Sequence, residues 1–204
     1  MFDTAQLYKP LSMTALWAVI YSSDWLMDWW GASIYHKSVK KICLFENGYN
    51  IKSITENEIN HPGMLFLRYF SELLVSSLFV WIILYTCRIL SGWKFYEFFC
   101  GALIVLEICT HFRHIRNVSV FSMIKRENGV CGNISVPKWI TLRFAFIEFV
   151  TFALMLLVIY VFDNDNFFVL GGMCACIIHA LWHTTRANTE YAGFKKNKIA
   201  PEIT

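Results

Sequence analysis

The sequence predicts an all-α integral membrane protein: a bundle of four transmembrane helices with an N-terminal interfacial helix and short cytoplasmic β-hairpins. Composition, span length and charge placement all point there. The 204 residues are 56% hydrophobic and 17% aromatic, more apolar than ordinary soluble domains. Four apolar stretches each reach the length of about 20 residues that crosses a bilayer core. Lys and Arg avoid two of the connections between those stretches and crowd into the rest of the chain, which is an orientation signal and not a nucleic-acid footprint.

Residues 1–62 form an N-terminal segment. Its opening, Met1-Phe2-Asp3-Thr4-Ala5, lacks the basic start and short apolar core of a secretory signal. Within 11–35, the first half is apolar but too short to cross, and the second carries Asp24 and Asp28 among Trp25, Trp29 and Trp30. Tryptophan at that density favours the headgroup layer, so a helix lying in the interface is expected. A crossing helix here would move the N-terminus to the other side. Asn47-Gly48, between β-capable flanks, signals a short hairpin. His61-Pro62-Gly63 then punctuates the chain.

Residues 63–186 hold the membrane domain, with spans at about 64–87, 95–116, 139–162 and 167–186. Ser91-Gly92 marks a tight turn between the first two, and Asp163-Asn164-Asp165-Asn166 one between the last two. The central loop, 117–138, carries a second Asn-Gly turn at Asn128-Gly129 and closes on Pro137. A polar tail, 187–204, ends the chain. Of the eighteen Lys and Arg, only Arg88 and Lys94 lie in the two short loops. By the positive-inside rule, both termini and the central loop are cytoplasmic. With no targeting segment, a prokaryotic plasma membrane is expected.

Seven cysteines, Cys43, Cys87, Cys100, Cys109, Cys131, Cys174 and Cys176, are scattered mostly through apolar runs. There is no Cys-x-x-Cys pair, and the number is odd. They read as reduced thiols behaving as small hydrophobes.

The functional signal lies in ionisable groups at membrane depth, where each needs a partner. In the second span Glu107, His111 and His114 fall within about 60° of one another, at roughly 100° per residue. In the fourth, His179, His183 and Arg186 repeat that 0, 4, 7 spacing. In the first, Arg68 and Glu72 stand four apart and can neutralise each other on one helix. Glu148 is the acid of the third, with Arg143 about 140° around from it and able to snorkel to headgroups. With a rise of about 1.5 Å per residue, Glu72, Glu107 and Glu148 lie roughly 13–15 Å from the cytoplasmic ends of their helices, and His179 roughly 10 Å. Arg113, Arg116 and Arg186 sit at the cytoplasmic boundary, where contact with lipid phosphate is the common role.

Matching positions also suggest a tandem duplication. Glu46-Asn47-Gly48, Arg68, Glu72 and Glu107 correspond to Glu127-Asn128-Gly129, Arg143, Glu148 and His179, which would make the halves parallel repeats with the polar groups where they meet.

Three functions fit. Protonatable Glu72, Glu107, Glu148, His111, His114, His179 and His183 with Arg68 form a cluster suited to moving protons or small ions, with the path between protomers of a homo-oligomer because four helices enclose little space. Alternatively, His111, His114, His179, His183 and Glu107 bind a transition metal or haem b in a redox protein. The third is a structural or partner-binding subunit whose polar core supplies specificity. Zinc-protease, nucleophile-elbow and phosphate-loop motifs are absent from the sequence. The lipid bilayer is the expected partner, and nucleic acid is not.

Overall fold

A computed structural model describes residues 4–45, 54, 56–127, 134–163 and 165–199. Within them the chain forms six α-helices and two short strands: α1 (Thr4–Lys37), β1 (Cys43–Phe45), α2 (Glu56–Asn60), α3 (Pro62–Thr86), α4 (Trp93–Glu127), β2 (Ile134–Val136), α5 (Lys138–Phe162) and α6 (Phe167–Ile199). Four stretches are helical, long and apolar enough to cross a membrane: Gly63–Leu90, Trp93–Arg126, Lys138–Phe162 and Phe167–Lys196.

The turns follow the local chemistry. A single π-helical turn, Cys87–Ser91, closes α3 and ends at Gly92, whose backbone (φ 80°, ψ −171°) lies in a region open essentially only to glycine. In the acidic turn before α6, Asn166 accepts a hydrogen bond from the Val169 backbone N–H (3.1 Å) and donates one to Asp163 (3.0 Å). It thereby satisfies one of the free amides at the helix start.

Helix α4 is the centre of the fold, with α1 along one side and α6 along the other. Helix α3 leans chiefly on α1, and α5 chiefly on α6. Lys9 of α1 stands over Trp93 at the start of α4 (4.1 Å), Gly31 meets Val118, and Tyr35 meets Phe121 near its end. The pairs rise together in number, so α1 and α4 run parallel. The same holds for α4 and α6, where Gly101 lies against Phe168 and Cys109 against Cys176. A Cβ on Gly101 would sit 1.8 Å from the Phe168 carbonyl oxygen, and one on Gly171 would sit 1.9 Å from that of Phe98. Only glycine lets the two backbones touch there.

The buried side chains fall on either side of α4. Trp17, Val80, Leu84, Tyr96, Cys100 and Ile104 fill the space between α1, α3 and α4. Val105, Cys109, Phe149, Ala153, Cys176 and Ala180 fill the space between α4, α5 and α6. A further group, Tyr35, Val39, Cys43 and Phe121, packs under the strands.

The packing bears on several sequence expectations. Helix α1, for which an interfacial position is expected, packs lengthwise along α4, because its buried face (Trp17, Asp24, Ala32, Tyr35) continues along the helix and finds α4 and α3 as partners. Strand β1, the upstream flank of the first Asn-Gly turn, pairs with distant β2 in parallel, in the register Cys43 to Ile134. Both Asn-Gly turns lie outside the described residues. The two proposed repeat halves pack differently, since α5 lies along α6 whereas α3 barely meets α4.

Candidate functional site

The titratable groups of the spans do not meet in one patch. They form two groups on opposite sides of α4 and a third, local one on α3.

The α1–α4 seam is the most heavily charged. Asp24 and Asp28, four residues apart on α1, face His111 and His114, three apart on α4, so each pair presents one face to the other. His114 is buried, with Nε2 3.6 Å from an Asp24 oxygen and Nδ1 3.3 Å from an Asp28 oxygen. Nδ1 of His111 lies 3.7 Å from the other oxygen of Asp24. Glu107, one turn before His111, lies close to the buried indole of Trp17 and within electrostatic reach of Asp24 and His114. Arg113 lies within electrostatic reach of the same two aspartates.

The charges of this seam decide what it can do. Asp24, Asp28 and Glu107 bring three negative charges, and Arg113 brings one positive. Burying an uncompensated charge is costly, so neutrality requires two further protons, shared among three carboxyls and two imidazoles. Those five groups extend over about 10 Å along α4, given its rise per residue.

On the other side of α4, Arg116 makes a direct ion pair with Glu148 of α5 and also donates to Asn117 (3.0 Å). The sequence offers Arg116 as a headgroup contact; in the fold its guanidinium also has a carboxylate on the facing helix within reach. His179 shares a hydrogen bond with the Ala175 carbonyl one turn earlier on its own helix (3.1 Å). His183 is buried and lies parallel to the Phe149 ring, centroids 5.4 Å apart, with Trp182 edge-on at 4.7 Å. Arg113, reaching from α4, acts electrostatically on His183 as well and so is felt on both sides.

The remaining expected residues are satisfied locally. Arg68 binds Glu72 at 2.8 Å, as its spacing predicts, and also Glu58 of α2 at 2.7 Å. Glu72 also lies within electrostatic reach of Tyr21 on α1. Arg143 donates to Asn188 of α6 (2.6 Å), and Arg186 lies over the Trp182 ring (5.1 Å).

The expected metal or haem ligands are not assembled. His111 and His114 turn towards the α1 aspartates, and His179 and His183 towards Phe149. Among the described residues, no three His, Cys, Asp or Glu converge as a metal site. The residues missed from sequence are Asp24, Asp28 and Trp17. Their signal was present, since two carboxylates one turn apart on α1, like His111 and His114 on α4, present a single helix face.

No family model, curated protein or solved structure matches this chain.

Proposed function

We propose that this protein handles protons within the membrane, and that the α1–α4 seam is the working part of a proton-transporting pathway. The observation that carries this is the buried His114 imidazole held between the Asp24 and Asp28 carboxylates. Five protonatable groups in series, short of two protons for neutrality, suit the uptake and transfer of protons better than passage of a hydrated ion. Because the seam lies within one chain, this route needs no second protomer.

Helix α1 accompanies α4 across the bilayer in this proposal, making five crossing helices. The lengthwise parallel packing of the two supports it, as does the buried acidic face of α1, which would be costly in lipid without its histidine partners. The N-terminus then lies on the face opposite the cytoplasmic C-terminus. A site-specific label at residue 3 should react from the side opposite to one at residue 203, and labelling of both from one side would remove the fifth crossing.

The test of function is proton flux in reconstituted vesicles carrying an internal pH dye. Wild-type protein should dissipate an imposed pH gradient, and Asp24→Asn and Glu107→Gln should each slow it at least tenfold. Flux no faster than in protein-free vesicles, or flux indifferent to both substitutions, would overturn the proposal.

A further inference from the structure

The contact between α4 and α6 brings two cysteines together that the sequence leaves 67 residues apart. Sγ of Cys109 and Sγ of Cys176 lie 3.6 Å from each other, both buried and both unbonded. The glycines explain how. Backbone contact at Gly101 and Gly171 holds the helices close, and Cys109 and Cys176 follow about two turns and one turn further along. A disulfide needs its sulfurs about 2 Å apart and its Cα atoms about 4.4–6.8 Å apart. Helices in backbone contact one to two turns away supply that approach, and rotation about the side-chain torsions closes the sulfur gap.

We propose that Cys109 and Cys176 form a dithiol pair that oxidises to a disulfide tying α4 to α6 inside the membrane, with a neutral, lipid-soluble hydroperoxide as the oxidant. The less buried thiol, Cys109, attacks the terminal oxygen of the hydroperoxide. The O–O bond breaks, the alcohol leaves carrying the thiol proton, and Cys109 becomes a sulfenic acid. The Cys176 thiol then attacks that sulfur, the S–O bond breaks, and water leaves with the Cys176 proton. Two thiols and one hydroperoxide give one disulfide, one alcohol and one water. Every reactant and product is neutral, so the overall step leaves no charge in the apolar interior. The couple is independent of proton transport by the α1–α4 seam.

The experiment treats the folded protein in lipid vesicles with cumene hydroperoxide, blocks remaining thiols with N-ethylmaleimide, and maps peptides under non-reducing conditions. A peptide pair joined through Cys109 and Cys176, 2 Da lighter than the two thiols and released by dithiothreitol, is expected. In Cys176→Ala, the sulfenic acid should persist at Cys109 and be trapped by dimedone. Oxidation that leaves Cys109 and Cys176 unlinked in wild-type protein overturns the proposal, as does linkage through Cys100 or Cys174 in their place. Because the wild-type result decides the matter, poor folding of the Cys176→Ala variant does not affect it.

Discussion

Nδ1 of His114 lies 3.3 Å from Asp28, across the whole width of the contact between α4 and α1. Both side chains are largely removed from solvent, so each is costly to leave alone. His114→Gln and Asp28→Asn should each lower stability by about 3–5 kcal/mol, as expected for breaking a buried pair. The double variant should cost less than the two combined, with a coupling of about 0.5–3 kcal/mol. Thermal unfolding in detergent measures all three, and strictly additive losses would mean that the two residues do not act on each other.

The backbone contact of α4 with α6 makes a sharper demand. Gly101→Ala and Gly171→Ala place a methyl group where a carbonyl oxygen already stands, and should cost about 1–3 kcal/mol or more through forced separation of the helices. Gly63→Ala, with nothing within 4 Å of the added carbon, should instead gain about 0.5–1 kcal/mol from helix propensity. The contrast between the substitutions, read by unfolding, is the check.

At Gly92 the constraint is conformational, since space around it is open. Gly92→Ala should cost about 1–3 kcal/mol, whereas Ser or Asn at the same position should fare no better, because the φ of 80° combined with an extended ψ excludes side chains in general. An alanine variant that unfolds at the wild-type temperature would show that the turn relaxes.

Cys43 sits in β1 beyond the ends of the spans, and burial pushes its thiol pKa up. Less thiolate is therefore present at pH 8 than for a free cysteine, and reaction with maleimide should be slow in the folded protein for that reason and for lack of access. The rate should rise as pH increases towards the raised pKa and rise further on unfolding. Rapid labelling of Cys43 at pH 7 in the folded state would contradict its burial beneath Tyr35 and Phe121.

The four stretches long and apolar enough to cross a membrane were legible because hydrophobic length is a local property. Their starts agree within two residues, yet the second and fourth run about ten residues past the expected 116 and 186, to Arg126 and Lys196. Arg and Lys mark where lipid stops, but they are good helix formers and do not stop the helix. The pair Arg68–Glu72 was also legible, since both partners share one helix. The partners of His111, His114, Glu148 and Arg116 were not, because each lies on another helix and only packing decides which one. Asp24 and Asp28 were hidden by their tryptophans, which serve equally well at a headgroup layer and in a helix seam.

The two-stranded clip has a consequence for biogenesis. Cys43 and its partner Ile134 stand 91 residues apart, with α3 and α4 between them. During synthesis β1 leaves the ribosome long before β2 exists, and its edge must wait while two long helices are inserted and turned. Closing so large a loop is slow and earns its hydrogen bonds only at the end. The clip therefore acts as a latch on order of assembly: it can shut only when the α3–α4 hairpin has returned the chain to the side from which it departed.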